Sequence, residues 1–441
     1  MRSCFRLLVV LSIPLISLMA CVSPFTSLPA PASTPTAAAT STPEPDVVTV
    51  TWAFWGDPWE VAINERVIDV FEADHPHIRV ETFHRPWNDY FETLRSKFEA
   101  GQPVPDVLFW TQAPIDIPKG YFLDLAPMVE AEHYDLADFF PSLLVHFQVG
   151  DGIYGLPRDS DTKVIFYNKR LFNQADLSYP KNNWTWTELR TTALALKEAG
   201  VTKYPFAYEV NDWWMIWMWQ NGVEVFDDKL APTKTSLNNP AAIEAIQFLA
   251  DLTNADQVTP PYEVMRSSEK IAALFKEGEL AMAFGNHALI PAFAEIEDFE
   301  WEVVSLPQKK RQANLAAGAG YVISANTPHV EAAWTFLKFL TNPKGQAIFA
   351  ETGIAVPARR SVARSEIFME QRPRHNARVF LDSVEIGEPD PAFVGANEII
   401  GLVNEALVPV WEGKQSAANA LESVFPRIEV IMAEVNQEYS Q

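Results

Sequence analysis

Residues 47–110 read VVTVTWAFWGDPWEVAINERVIDVFEADHPHIRVETFHRPWNDYFETLRSKFEAGQPVPDVLFW, and two hydrophobic periods alternate along them. VVTVTWAFW (47–55) is β-rich, and the run over 60–76 puts Ile63, Val67, Val70 and Phe71 on one helical face. IRVETF (78–83) reads as a second strand, NDYFETLRSKFEAG (88–101) as a second helix stopped by a glycine, and DVLFW (106–110) as a third strand. That order implies a parallel sheet with right-handed crossovers. Open α/β sheets bind ligands beyond the carboxyl ends of their strands. A tryptophan stands at or near each of those ends: Trp55, Trp87 and Trp110. Trp52, inside the first strand, is expected in the core, and the other three are expected to share an aromatic lining.

The rest of the chain sets the bounds. At 441 residues it is too long for one ordinary core, so two lobes are expected. A formal charge of −23 excludes a nucleic-acid partner, because phosphate binding needs clustered Lys and Arg. No GxSxG, HExxH, P-loop glycine pattern or Cys/His metal spacing occurs, so no metal and no cofactor are expected. The pair His75 and His77 flanks Pro76 at a helix exit and reads as surface.

The N-terminus is specific. Arg2 and Arg6 precede the apolar run LLVVLSIPLISLM (7–19), the pattern of an export signal over residues 1–20 and too short to span a bilayer. LMAC (18–21) resembles a bacterial lipobox, which makes Cys21 the lipidated first residue of the mature chain. The only other cysteine, Cys4, leaves with the signal, so no internal disulfide is expected. A Pro/Ala/Ser/Thr-rich segment, residues 21–45, then reads as an extended tether reaching on the order of 75 Å.

Farther on, DGIYGLP and VIFYN flank the polar turn RDSDTK (158–163), and Thr185 with Glu188 forms a capping-box pattern opening a helix that ends at Gly200. DGIYGLP, VIFYNKRLF and NNWTWTEL in this order resemble the family 1 extracellular solute-binding proteins, the receptors of ABC importers. ALFKEGELAMAFGNHALI (273–290) carries the family's GxxAM pattern, and the segment 316–361 resembles the stretch that returns to the first lobe. FWGDPWE and PDVLFW fit its N-terminal part.

The resemblance implies an α/β, two-lobed periplasmic-binding-protein-like fold of type II. Its first lobe would hold 46–160 plus 316–357 and its second 161–315 plus 358–441, with a ligand cleft between hinge crossings. It implies a monomer that binds a small solute, most naturally a carbohydrate, and delivers it to permease subunits at the extracytoplasmic face of a bacterial envelope. A sugar presents apolar C–H faces and a rim of hydroxyls, so its receptor needs aromatic platforms beside polar acceptors. The residues aligned with the family's contact regions have that character: Trp55, Asp57, Trp87 and Trp110 from the first lobe, and Asp159 and Asp161 from the turn. Ahead of the tryptophan-rich run WWMIWMW stand Glu209, Asn211 and Asp212, with Trp213 opening it. Asn286 and His287 follow the strand AMAFG, and Gly318, Tyr321 and Phe393 complete the candidates. After AMAFG the maltose-binding protein of that family carries a tryptophan where this chain has Ala288, a departure that points away from maltodextrin.

Two other classes fit part of the pattern. Paired carboxylates in an aromatic cleft also describe a glycoside hydrolase, and a surface adhesin would explain the anchor without the cleft. Polyols, glycerol-phosphate-type compounds and polyamines are the rival solutes, of which the acidic candidates disfavour the phosphates.

Overall fold

The computed structural model describes residues 47–438 except 212, 354 and 372–374. The export signal, Cys21, the tether and Asp212 therefore lie outside the described residues.

Strand β1 (Val48–Phe54), helix α1 (Pro58–Asp74), strand β2 (Ile78–His84), helix α2 (Trp87–Glu99) and strand β3 (Val107–Trp110) follow one another as their periodicities require. β1 runs parallel to β2 from Val48 opposite Ile78 to Phe54 opposite His84, and parallel to β3 from Trp52 opposite Val107. Pro58, whose missing N–H costs nothing in a first turn, starts α1. The helix buries Ile63, Val67 and Phe71, while Val70 is only half-buried.

The sheet is mixed rather than wholly parallel. The distant strand Gly320–Ile323 enters antiparallel to β3, and Gly155–Pro157 closes the edge beyond it. A second sheet is built between those two chain segments, in the order Trp301–Ser305, Lys163–Asn168, Leu280–Asn286, Tyr204–Ala207. The sequence periodicity could not show this interleaving, which depends on long-range pairing.

Strand alternation sorts the aromatic side chains. On β1 and β3, Val50, Trp52, Phe54 and Phe109 face the core shared with α1. Leu108 and Trp110 face the opposite layer, under α2, with Tyr90, Leu94 and Phe98. Trp52 is 1% exposed and packs edge-on against Phe336 at 5.2 Å. On the surface of the second lobe the capping box is formed: the Thr185 hydroxyl accepts from the Glu188 N–H, and the Glu188 carboxylate accepts from the Thr185 N–H. Gly200 ends that helix at φ +65°, a left-handed conformation open to glycine. The short helix Trp214–Gln220 buries Trp214, Trp217 and Trp219 completely, so most of the tryptophan-rich run is packing.

The chain passes between the sheets at 158–162, 315–319 and around 358. These segments bond to one another: Arg158 N–H to Ala319 O (2.8 Å), Asp161 N–H to Ala317 O (2.6 Å), and Ala358 N–H to Arg158 O (3.0 Å). The tie is tight enough to require glycine at 318, where a Cβ would lie 2.1 Å from the Asp159 carbonyl oxygen. His75 stacks on Phe71 at 4.5 Å rather than standing free, while His77 is exposed.

Candidate functional site

The crossing segments form the floor of a cleft of about 570 Å³, within the range of small-molecule sites. At its centre lies Arg158, 7% exposed, bridging Glu60 at 3.1 Å and Asp159 at 2.5 Å. Its guanidinium sits 4.0 Å over the Phe109 ring. Burial pushes the Glu60 carboxyl up, and Arg158 works against that. Burial would lower the Arg158 pKa, but Asp159, Tyr321 and Glu60 together raise it, so the guanidinium stays charged. Asp159 also accepts from the Ala319 N–H at 3.1 Å. This cation is saturated by its own carboxylates.

One wall is aromatic. Trp55 stacks on Phe109 with centroids 4.0 Å apart and 22° between planes, and Trp87 meets it edge-on at 5.0 Å. Trp87 is 53% exposed and Trp59 43%, both at the cleft, with Asp57 exposed beside them. The facing wall carries Trp213, Asn286, His287 and Ala288. The Lys163 ammonium lies 3.9 Å over the Trp213 ring and 3.0 Å from Asp161. His287 is buried; its Nδ1 meets the Gly353 carbonyl at 2.9 Å, so that nitrogen donates. Burial, then His375, hold its pKa down to about 3, leaving a neutral ring.

Nine candidates thus meet in one cleft: Trp55, Asp57, Trp87, Asp159, Asp161, Trp213, Asn286, His287 and Gly318. Five described candidates do not line it. Trp110 is fully buried because alternation turns it away from Phe109; its indole N–H donates to Asp116 at 3.2 Å. Tyr321 is buried beneath the floor, edge-on to Trp52 at 6.0 Å, and burial pushes its hydroxyl pKa up. Phe393 packs against Phe226 at 5.0 Å in the second core. Glu209 accepts from the Trp213 indole N–H at 3.2 Å and from Asn211 at 2.6 Å, so both stand behind the wall.

Sequence reasoning missed Trp59, Glu60, Gln112, Arg158 and Asp390, all of which line the cleft. Trp59 and Glu60 belong to the WGDPWE stretch already singled out, and Asp390 lies three residues before Phe393, so the right loops were in view. Gln112 is held at φ +49°, a left-handed conformation that costs a non-glycine residue about 1–2 kcal/mol. Its side chain donates to Asp390 at 2.9 Å, and the other Asp390 oxygen lies 3.4 Å from His146.

The lining carries Asp57, Glu60, Asp159, Asp161 and Asp390 against one cation, Arg158. Such a site offers acceptors for hydroxyls and flat rings for C–H faces, and it repels anions. Among the described residues no group of three or more His, Cys, Asp or Glu is placed to hold a metal ion. Nor is any helix among them long and apolar enough to cross a membrane.

Two sheets linked by bonded crossings around a polar, tryptophan-walled cleft define a two-lobed solute receptor of the type II periplasmic-binding kind. Residues 55–347 match the family described as bacterial extracellular solute-binding protein, and the chain belongs to that family. It is 23% identical over 377 residues to a putative binding protein of Brucella abortus, covering 83% of this chain and 89% of that one. It is 24% identical over 367 residues to the galactooligosaccharide-binding protein of Bacillus subtilis, covering 80% and 83%. The fold matches an ABC substrate-binding protein of Listeria monocytogenes, solved with cycloalternan, at a TM-score of 0.77 and 22% identity over 90% of this chain and all of that one.

Proposed function

We propose that the cleft takes a neutral sugar or small oligosaccharide and that the chain hands it, without chemical change, to the permease of an ABC importer. The observation that carries this reading is the exposed ring of Trp87, braced by Trp55 and set beside Asp57, in a lining whose one cation is already neutralised. An aromatic face with hydroxyl acceptors suits a sugar. A phosphate-bearing solute would need a free cation, and Arg158 is not one. Relatives named for galactooligosaccharide binding, or solved with an oligosaccharide, support the sugar class.

Catalysis fits the same residues poorly. Glu60 and Asp159 are locked on Arg158, where neither can serve as a mobile acid or base. In this reading the lobes comprise 46–160 plus 316–357 and 161–315 plus 358–441, rotate on the crossing segments, and close on solute. The receptor works as a monomer at the extracytoplasmic face, held by a lipid on Cys21. Lipid labelling of the full chain in a bacterial host checks the anchor, which Cys21→Ser should abolish.

A thermal-shift screen of neutral oligosaccharides, glycerol phosphate and polyamines tests the solute. A ligand at 100 times its dissociation constant stabilises by about 2.7 kcal/mol. Stabilisation by neutral sugars without release of reducing ends is expected. Stabilisation by glycerol phosphate or a polyamine alone, or release of reducing ends, would replace the proposal.

A further inference from the structure

We infer that Lys163 and Glu209 are positioning residues for Trp213, fixing which face of its ring the cleft offers. This rests on the reading of the cleft as a site that stacks its solute on aromatic rings.

Trp213 stands just before the helix Trp214–Gln220 and, unlike Trp214, Trp217 and Trp219, is only half-buried. Packing against the second core covers only part of this indole, and a half-buried ring at a helix start can sample more than one rotamer. Two polar contacts restrain this one. The Lys163 ammonium covers one ring face at 3.9 Å, close enough for a strong cation–π attraction. The Glu209 carboxylate accepts the indole N–H at 3.2 Å, which fixes rotation in the ring plane, and Asn211 in turn donates to that carboxylate at 2.6 Å. With one face occupied, only the other is left for a solute.

Lys163 is itself anchored. Its side chain is 4% exposed and ion-paired with Asp161 at 3.0 Å. Its backbone N–H donates to the Asn314 side chain at 3.0 Å, and its carbonyl accepts from the same amide at 2.7 Å. Lys163 directly follows the crossing segment 158–162 and Asn314 directly precedes the crossing segment 315–319, so the orientation of Trp213 is tied to the ends of the hinge segments rather than to its own short helix alone. A carboxylate expected to touch solute thus acts through a tryptophan.

The test begins without solute, on the full chain. The Trp213 indole N–H resonance, assigned by its loss in Trp213→Phe, should move in Glu209→Gln and again in Lys163→Met. Glu209→Gln lies outside the core, and its melting temperature should stay near that of the parent. With galactotriose as probe, Glu209→Gln should weaken binding on the order of tenfold, the size of one charge-assisted bond. In a Trp213→Ala background the same substitution should have no further effect. An unmoved indole resonance in both variants would overturn the inference. So would an undiminished tenfold loss in the Trp213→Ala background, because Glu209 would then contact solute directly. The indole readout needs no solute, so its result is independent of which solute the cleft takes.

Discussion

Trp55 lies flat on Phe109, with 4.0 Å between ring centroids, while the Arg158 guanidinium sits 4.0 Å from the centroid of the same Phe109 ring. The aromatic wall and the charged floor therefore share one support. Phe109 is fully buried in β3, and it holds the site in place from the core side.

The tryptophans should separate by experiment. Trp87→Ala removes an exposed ring and is expected to weaken sugar binding about ten- to a hundredfold, with little change in melting temperature. Trp110→Ala and Trp52→Ala empty buried sites and should destabilise by about 3–5 kcal/mol, with near-normal affinity in the folded fraction. Melting and titration on the three variants check this, and early melting of Trp87→Ala would reverse the assignment.

Arg158→Met should strand Glu60 and Asp159 as unpaired carboxylates near the floor. A loss of about 3–5 kcal/mol is expected at neutral pH, partly recovered by adding Glu60→Gln. Denaturant midpoints of the single and double variants measure it; an additive double variant would show that Glu60 is not the stranded partner.

How much of this was legible depended on range. The periodicities of 47–110 placed β1 to β3 and both helices within a few residues, because local pattern decides them. Trp55 and Trp87 line the cleft because the first follows the end of β1 and the second opens α2 just beyond the end of β2. Trp110 was misplaced because it is the last residue of its strand, where period-two alternation, not the strand end, sets its direction. Glu209 looked like a ligand since a carboxylate beside tryptophans has that chemistry, and only geometry shows it bonded to the indole. Arg158 escaped notice because a buried, doubly paired arginine has the same local signature as a surface one in a polar turn.

His287 should leave a pH signature. Its folded pKa is held down at about 3 by burial, with a smaller push from His375, against an ordinary value of 6.5. The unfolded chain therefore takes up a proton that the native chain refuses. Stability from this residue is complete above about pH 6.5 and is lost as pH falls toward 3, at up to about 1.4 kcal/mol per pH unit. Melting curves between these limits should be flatter in His287→Gln than in the parent, and equal slopes would contradict the burial argument.

Gly318→Ala would set a Cβ 2.1 Å from the Asp159 carbonyl, which is backbone and cannot swing aside. The crossing segments must then part, at about 1–3 kcal/mol, and Asp159 and Asp161 shift with them. Both melting temperature and affinity should fall. A variant that binds and melts like the parent would mean that the floor is not tied as described.

The most direct test of the central claim is calorimetric titration of the parent and of Asp57→Asn with a neutral oligosaccharide chosen by thermal shift, with glycerol phosphate alongside. The account expects saturable one-to-one binding of the oligosaccharide, markedly weaker in Asp57→Asn, and no heat from glycerol phosphate. Equal affinity in the two proteins, or binding of glycerol phosphate in place of the sugar, would contradict a neutral-sugar site in this cleft.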